Sequence, residues 1–198
     1  MTNNFHTIVP EDTILLVMDY QSGILNRLGD VVDVLLSRMA KVIDTARNRG
    51  IKIGYIRVAF EDADYESLPK TNKIFSKIKV EHLMQNKSPG TAIHKKVAPK
   101  PGDIIIRKTR VGAFSTTDLD KQLRDNGINT LILAGISTSG VVLSTVRDAA
   151  DKDYRIFVLA DCCMDSDIQV HDALITKVFP RQAEIIDSTM FSQTTFII

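Results

Sequence analysis

Six short, nearly unbroken runs of apolar and β-branched residues recur along the chain: TILLVMD at 13–19, KIGYIRV at 52–58, DIIIRK at 103–108, TLILAG at 130–135, YRIFVLAD at 154–161 and AEIID at 183–187. A strand with one face in water alternates apolar and polar residues, whereas a strand covered on both faces does not. These runs are of the second kind. Between them lie longer amphipathic segments. In 31–48, Val31, Leu35, Leu36, Met39, Val42, Ile43 and Ala46 share one helical face, and Gly50 follows as a C-terminal cap. Segments 117–126, 139–151 and 168–178 read as helices in the same way. Strand–helix alternation with crossovers of this length specifies the α/β class: a three-layer α/β/α sandwich around a six-stranded parallel sheet, Rossmann-like in its winding.

A chain of 198 residues, 44% apolar and 25% charged, can bury one substantial core, so 1–198 is expected to form a single domain. Residues 60–101 break the rhythm. They hold Pro69, Pro89, Pro99 and Pro101, one helix expected near 71–85 and no strand, and read as an irregular insertion over one edge of the ligand-binding face. A net charge of +1 with both signs interspersed gives no basic stripe for a phosphate backbone, which excludes nucleic acid as a partner. No apolar run approaches the roughly 18 residues of a membrane span, and MTNNFHTIVPEDT lacks the basic start and apolar core of a leader. A cytoplasmic protein without a membrane partner is expected, and the adjacent Cys162 and Cys163 fit a reducing compartment. The expected partner is a small-molecule substrate or ligand.

Ligands of an open parallel sheet bind at the carboxyl ends of its strands. The first run ends in Asp19, with Gln21 just beyond it; the third ends in Lys108; the fourth ends in GISTSG at the start of a helix. A carboxylate, an ammonium and a set of backbone N–H groups would meet in one crevice. Arg57, Phe60, Arg110 and Phe114 flank the same strand ends as substrate-binding candidates, where the arginines can grip a carboxylate or, equally, serve as rim and core residues. The hydroxyls of Ser137, Thr138, Ser139 and Ser144 read first as helix-capping groups. His6, His82, His94 and His171 form no metal-ligand spacing, so neither a metal nor another cofactor is expected.

Asp19-Tyr20-Gln21, Lys108 with Phe114 and Thr117-Asp118-Leu119, Gly135-Ile136-Ser137-Thr138, and Thr145 with Asp148-Ala149 together resemble the isochorismatase-like cysteine hydrolase superfamily over almost the whole chain. The resemblance implies that superfamily's fold, a homo-oligomer, and a catalytic Asp, Lys and Cys at the positions of Asp19, Lys108 and Val141. It also implies an oxyanion site built from the backbone of Ile136, Ser137 and Val141, with a cis Ile136–Ser137 peptide bond. Valine supplies neither nucleophile nor proton. The metal site of the nicotinamidase branch would fall in RVAFEDADYESLP, which contains no histidine.

Three accounts accommodate Val141. Water can be the nucleophile, as the resemblance implies for the isochorismatase branch itself, with Asp19 as the acid, Lys108 beside it and Gln21 positioning substrate or water. A thiol of Cys162 or Cys163 can enter from the neighbouring strand, only one of the two pointing inward. Or the protein is a catalytically inactive small-molecule binding or assembly protein that keeps the hydrolase fold. The apolar tail TTFII is compatible with a contact surface between copies.

Overall fold

A computed structural model describes residues 8–194; most of the tail TTFII, and His6, lie outside the described residues. All six expected strands are present: β1 (Thr13–Met18), β2 (Lys52–Val58), β3 (Ile104–Lys108), β4 (Thr130–Ile136), β5 (Arg155–Met164) and β6 (Glu184–Ile186). They pair in parallel in the order β3-β2-β1-β4-β5-β6. The chain therefore winds outward from β1 to one edge and then from β4 to the other, and the crevice between β1 and β4 is where strand order reverses.

The central strands β1 and β4 are buried on both faces because their apolar runs have no polar side to offer water, whereas β3, at the edge, alternates and leaves Ile105 about half exposed, against expectation. Leu15, Val17, Ile132 and Ala134 pack on one face beneath α2 (Val32–Asn48) and α8 (Ser188–Gln193). Ile14, Leu16, Met18, Leu131 and Leu133 pack on the other, beneath α5 (Leu119–Asp125) and α6 (Leu143–Ala150). Odd and even positions of one strand thus feed two different cores. On α2, the residues Leu35, Leu36, Met39, Val42, Ile43 and Ala46 are buried as expected, but Val31 is about half exposed and lies in the turn preceding the helix.

Three stretches depart from expectation. Residues 60–101 carry two short helices, α3 (Asp62–Ser67) and α4 (Phe75–Val80), instead of one helix near 71–85. Asn72 accepts the N–H groups of Ile74 and Phe75 and so starts α4 late, while His82 and Met84 take positive φ and end the segment. Helix 168–178 is α-helical only in α7 (Ile168–Ala173) and continues to Val178 with a wider turn. Strand β5 extends past Asp161 through the cysteine pair, because its register with β4 jumps between Leu133↔Val158 and Gly135↔Cys163. The bulge inserts extra residues in β5 and lets the strand continue beside the end of β4.

The segment 60–101 is tied to the strand ends at several points. Phe60 bridges Gln85, and Gln21 bridges Ile93. Gly23, in the short helix α1 (Ser22–Leu25), lies so close to Gly90 that a Cβ on Gly23 would meet the Gly90 oxygen at 2.9 Å. Only glycine permits that approach. The segment is thereby folded over the carboxyl ends of β1 and β2.

Candidate functional site

Asp19 follows β1 with φ +58°, a left-handed conformation that aspartate tolerates better than most residues. Its N–H remains in the sheet, donating to Ile56 O at 2.8 Å. The backbone then turns away while the carboxyl stays at the strand end, 5% exposed. Lys108, the last residue of β3, reaches across beneath β2, and its ammonium lies 2.8 Å from Asp19 Oδ2. The same ammonium donates to Val111 O at 2.9 Å and Arg110 O at 3.2 Å. All three of its protons have acceptors, which fixes Lys108 in place.

Asp19 Oδ1 has no hydrogen-bond partner among the described residues. Burial raises the Asp19 carboxyl above the usual carboxylate range, against the opposing attraction of the Lys108 ammonium. Protonation is compatible with the geometry: a neutral carboxyl keeps Oδ2 as acceptor for Lys108 and carries its proton on Oδ1.

The other wall is the junction of β4 with its helix. The Ile136–Ser137 peptide bond is cis. Residues 138–142 form one wide turn, with Gly140 N–H and Val142 N–H both donating to Ser137 O at 3.2 Å, before α6 begins. Gly135 makes the junction possible, since a Cβ there would meet Val142 Cγ2 at 2.9 Å and Val141 Cγ1 at 3.2 Å. The Ser137 side chain does not cap the turn; Asp165 takes that part, accepting Ser139 N–H at 2.7 Å. Thr138 is fully buried and its hydroxyl is 2.8 Å from His171 Nδ1, so His171 braces the junction from α7.

Asp19, Lys108, Ile136, Ser137, Val141 and Arg110 all line one cavity of about 560 Å³, within the usual size range for small-molecule sites. Four other candidates do not line it. Gln21 is wholly buried and spends its side chain on backbone: Nε2 donates to Val58 O and Thr91 O, and Oε1 accepts Val58 N–H, each at 2.8–2.9 Å. Positioning substrate or water is therefore not open to it; it ties the 60–101 segment to the sheet. Arg57 is held by Asn86 and Thr91 O. Phe60 stacks on Tyr65 at 5.4 Å, and Phe114 lies 6.0 Å from Tyr154 within the second core. A strand-end position did not predict side-chain direction for these four.

The cysteines alternate as expected, Cys162 into one core and Cys163 into the other, and neither lines the cavity. Burial pushes both thiols up, Cys163 to about 12, so neither supplies a thiolate near neutral pH. The relocated thiol is excluded on both grounds. Arg27, just beyond α1, lines the cavity and was missed from the sequence; it sits in no strand-end motif. Among the described residues no group of three or more His, Cys, Asp or Glu side chains is placed to hold a metal, and no helix is long and apolar enough to cross a membrane.

Residues 13–190 match the family model of the Isochorismatase domain. The isochorismatase family protein YecD of Escherichia coli O157:H7 is 34% identical over 176 residues, which cover 87% of this chain and 90% of that protein. The ureidoacrylate amidohydrolase RutB of Methylobacterium radiotolerans is 31% identical over 172 residues, covering 77% of this chain and 67% of that one. A cysteine hydrolase from Pseudomonas syringae pv. phaseolicola shares the fold with a TM-score of 0.85 at 19% identity, over 98% of this chain and 97% of the other.

Proposed function

The chain belongs to the isochorismatase family, and on that premise we propose that it hydrolyses a small molecule by Asp19- and Lys108-assisted attack of water, without a covalent enzyme intermediate. The observation that carries this reading is the Asp19 carboxyl: buried in a residue that lines the cavity, anchored through Oδ2 by Lys108, and with Oδ1 left without a hydrogen-bond partner among the described residues. Asp19 acts as general acid. Its Oδ1 proton passes to the substrate, water adds to the activated carbon, the bond to the leaving group breaks, and the carboxylate recovers a proton from the added water. Ile136, Ser137 and Val141 form part of the cavity wall beside which the substrate would lie. Val141 contributes backbone and shape at that wall.

A vinyl ether suits this sequence of steps, because protonation of its alkene carbon yields an oxocarbenium ion that water attacks. An amide belongs to the same trial, since RutB is named as an amidohydrolase. Small vinyl ethers, amides and esters, incubated with the parent and with Asp19→Asn, test the reading. Turnover by the parent that falls at least about a hundredfold in Asp19→Asn is expected. Binding without turnover across all three classes would replace it with the second reading, a ligand-binding protein that keeps the hydrolase fold, which the absence of a thiol at Val141 favours.

A further inference from the structure

We infer that Arg27 and Arg110 select a substrate bearing a carboxylate on an apolar body. The inference rests on the reading above in taking this cavity as the substrate site, but it concerns recognition and not bond cleavage.

Four ionisable side chains line the cavity: Asp19, Lys108, Arg27 and Arg110. The first two are engaged with each other at 2.8 Å. Neither Arg27 nor Arg110 is in an ion pair among the described residues. Arginines nearby on β2 and β3 behave differently. Arg57 is taken up by Asn86 and Thr91 O, and Arg107 by Asp64 and Ala59 O. Where an arginine at this end of the sheet has a structural task, the protein supplies its acceptors.

Arg110 gives one N–H to Thr109 O at 2.7 Å, and its guanidinium carbon lies 5.8 Å from the centre of the Phe75 ring, which also lines the cavity. That contact holds the guanidinium at the wall with most of its five donors unspent. Arg27 stands exposed beyond α1. Much of the remaining lining is apolar, with Ile24, Leu28, Val58, Phe75, Ile78 and Met84 among it. A planar fork beside an apolar wall matches a carboxylate far better than an ammonium or a neutral amide, and the low-dielectric wall strengthens the pairing.

Benzoate and its neutral isostere benzamide are the probes, titrated by ligand-observed NMR against the parent, Arg27→Gln, Arg110→Gln, Arg110→Lys and the double Gln variant. Circular dichroism confirms that each is folded, and Lys41→Gln controls for loss of a distant positive charge. The parent should bind benzoate at least about tenfold more tightly than benzamide. Each single Gln variant should narrow that ratio, Arg110→Lys should restore part of it, and the double variant should bring it to about one. Equal binding of the two probes by the parent, no saturable benzoate binding at millimolar concentration, or a preference that survives the double variant would overturn the inference. The same spectra record any benzamide hydrolysis. Failure of the hydrolase reading therefore appears as absent turnover with the benzoate preference intact, and failure of this one as a lost preference whatever the turnover.

Discussion

Replacing Lys108 by Met removes one charge from a pair whose side chains are only 2% (Lys108) and 7% (Asp19) exposed. Methionine is unbranched and fills a similar volume, so packing changes little. Three hydrogen bonds disappear with the ammonium, to Asp19 Oδ2, Val111 O and Arg110 O. Breaking a buried pair by removing one partner costs about 3–5 kcal/mol, because a charge is left uncompensated. Asp19 can lower that cost by taking up a proton. Its folded-state pKa is already raised by burial, and Lys108 is the largest influence holding it down, so without Lys108 it rises further. A folded pKa above the unfolded one means that the native state binds the proton more tightly. The associated stability is fully present below the unfolded value and is lost as pH rises through the folded value. The deficit of Lys108→Met relative to the parent is therefore largest at neutral pH and shrinks toward about pH 4–5. With a urea m-value of about 1–3 kcal/mol/M, a loss of this size moves the unfolding midpoint by at least about 1 M. Urea titrations of both proteins at neutral and acid pH measure it, and Asp19→Asn with Lys108→Met should recover much of the neutral-pH loss. A deficit equal at the two pH values, or a double variant no more stable than Lys108→Met, would refute the electrostatic reasoning.

Gln21→Leu should cost about 2–4 kcal/mol by stranding the buried Val58 and Thr91 backbone groups, with hydrogen exchange accelerating first around residues 85–95; a change under about 0.5 kcal/mol would mean that the amide is not the tie. The native cysteines should resist a thiol reagent until the protein unfolds, since both are buried and their thiols raised; labelling of the folded protein at the rate of a free peptide thiol would contradict their placement. Val141→Cys, in a Cys162→Ala, Cys163→Ala background, places a thiol at the cavity near Lys108. It should react with iodoacetamide faster than an unfolded-peptide cysteine and lose that advantage when Lys108→Ala is added, and slow or Lys108-independent labelling would show that the three positions do not converge.

The α/β class and all six strands were legible because the apolar runs are short, rich in β-branched residues and alternate with longer amphipathic segments. Asp19, Lys108 and the β4 junction were legible too, since strand order alone brings those three ends together. The rest depends on contacts that sequence spacing does not encode. Gln21, at a strand end like Asp19, points inward because Val58 and Thr91 offer it three backbone partners. Phe60 and Phe114 find aromatic neighbours in packed clusters. The late start of α4 hangs on the side chain of Asn72, and Arg27 lines the site from just beyond α1, whose Gly23 packs against Gly90. These are tertiary choices made residue by residue, and they decide which polar groups remain free to meet a ligand.

The pH dependence of kcat/KM on the best substrate tests the role of Asp19 most directly. A protonated Asp19 acting as acid requires the rate to be level at low pH and to fall tenfold per pH unit above the raised pKa of its carboxyl. Asp19→Asn should be slower by at least about a hundredfold and lack that descending limb. A rate that instead climbs with pH through the acid range, as a carboxylate base or a thiolate would demand, contradicts the mechanism.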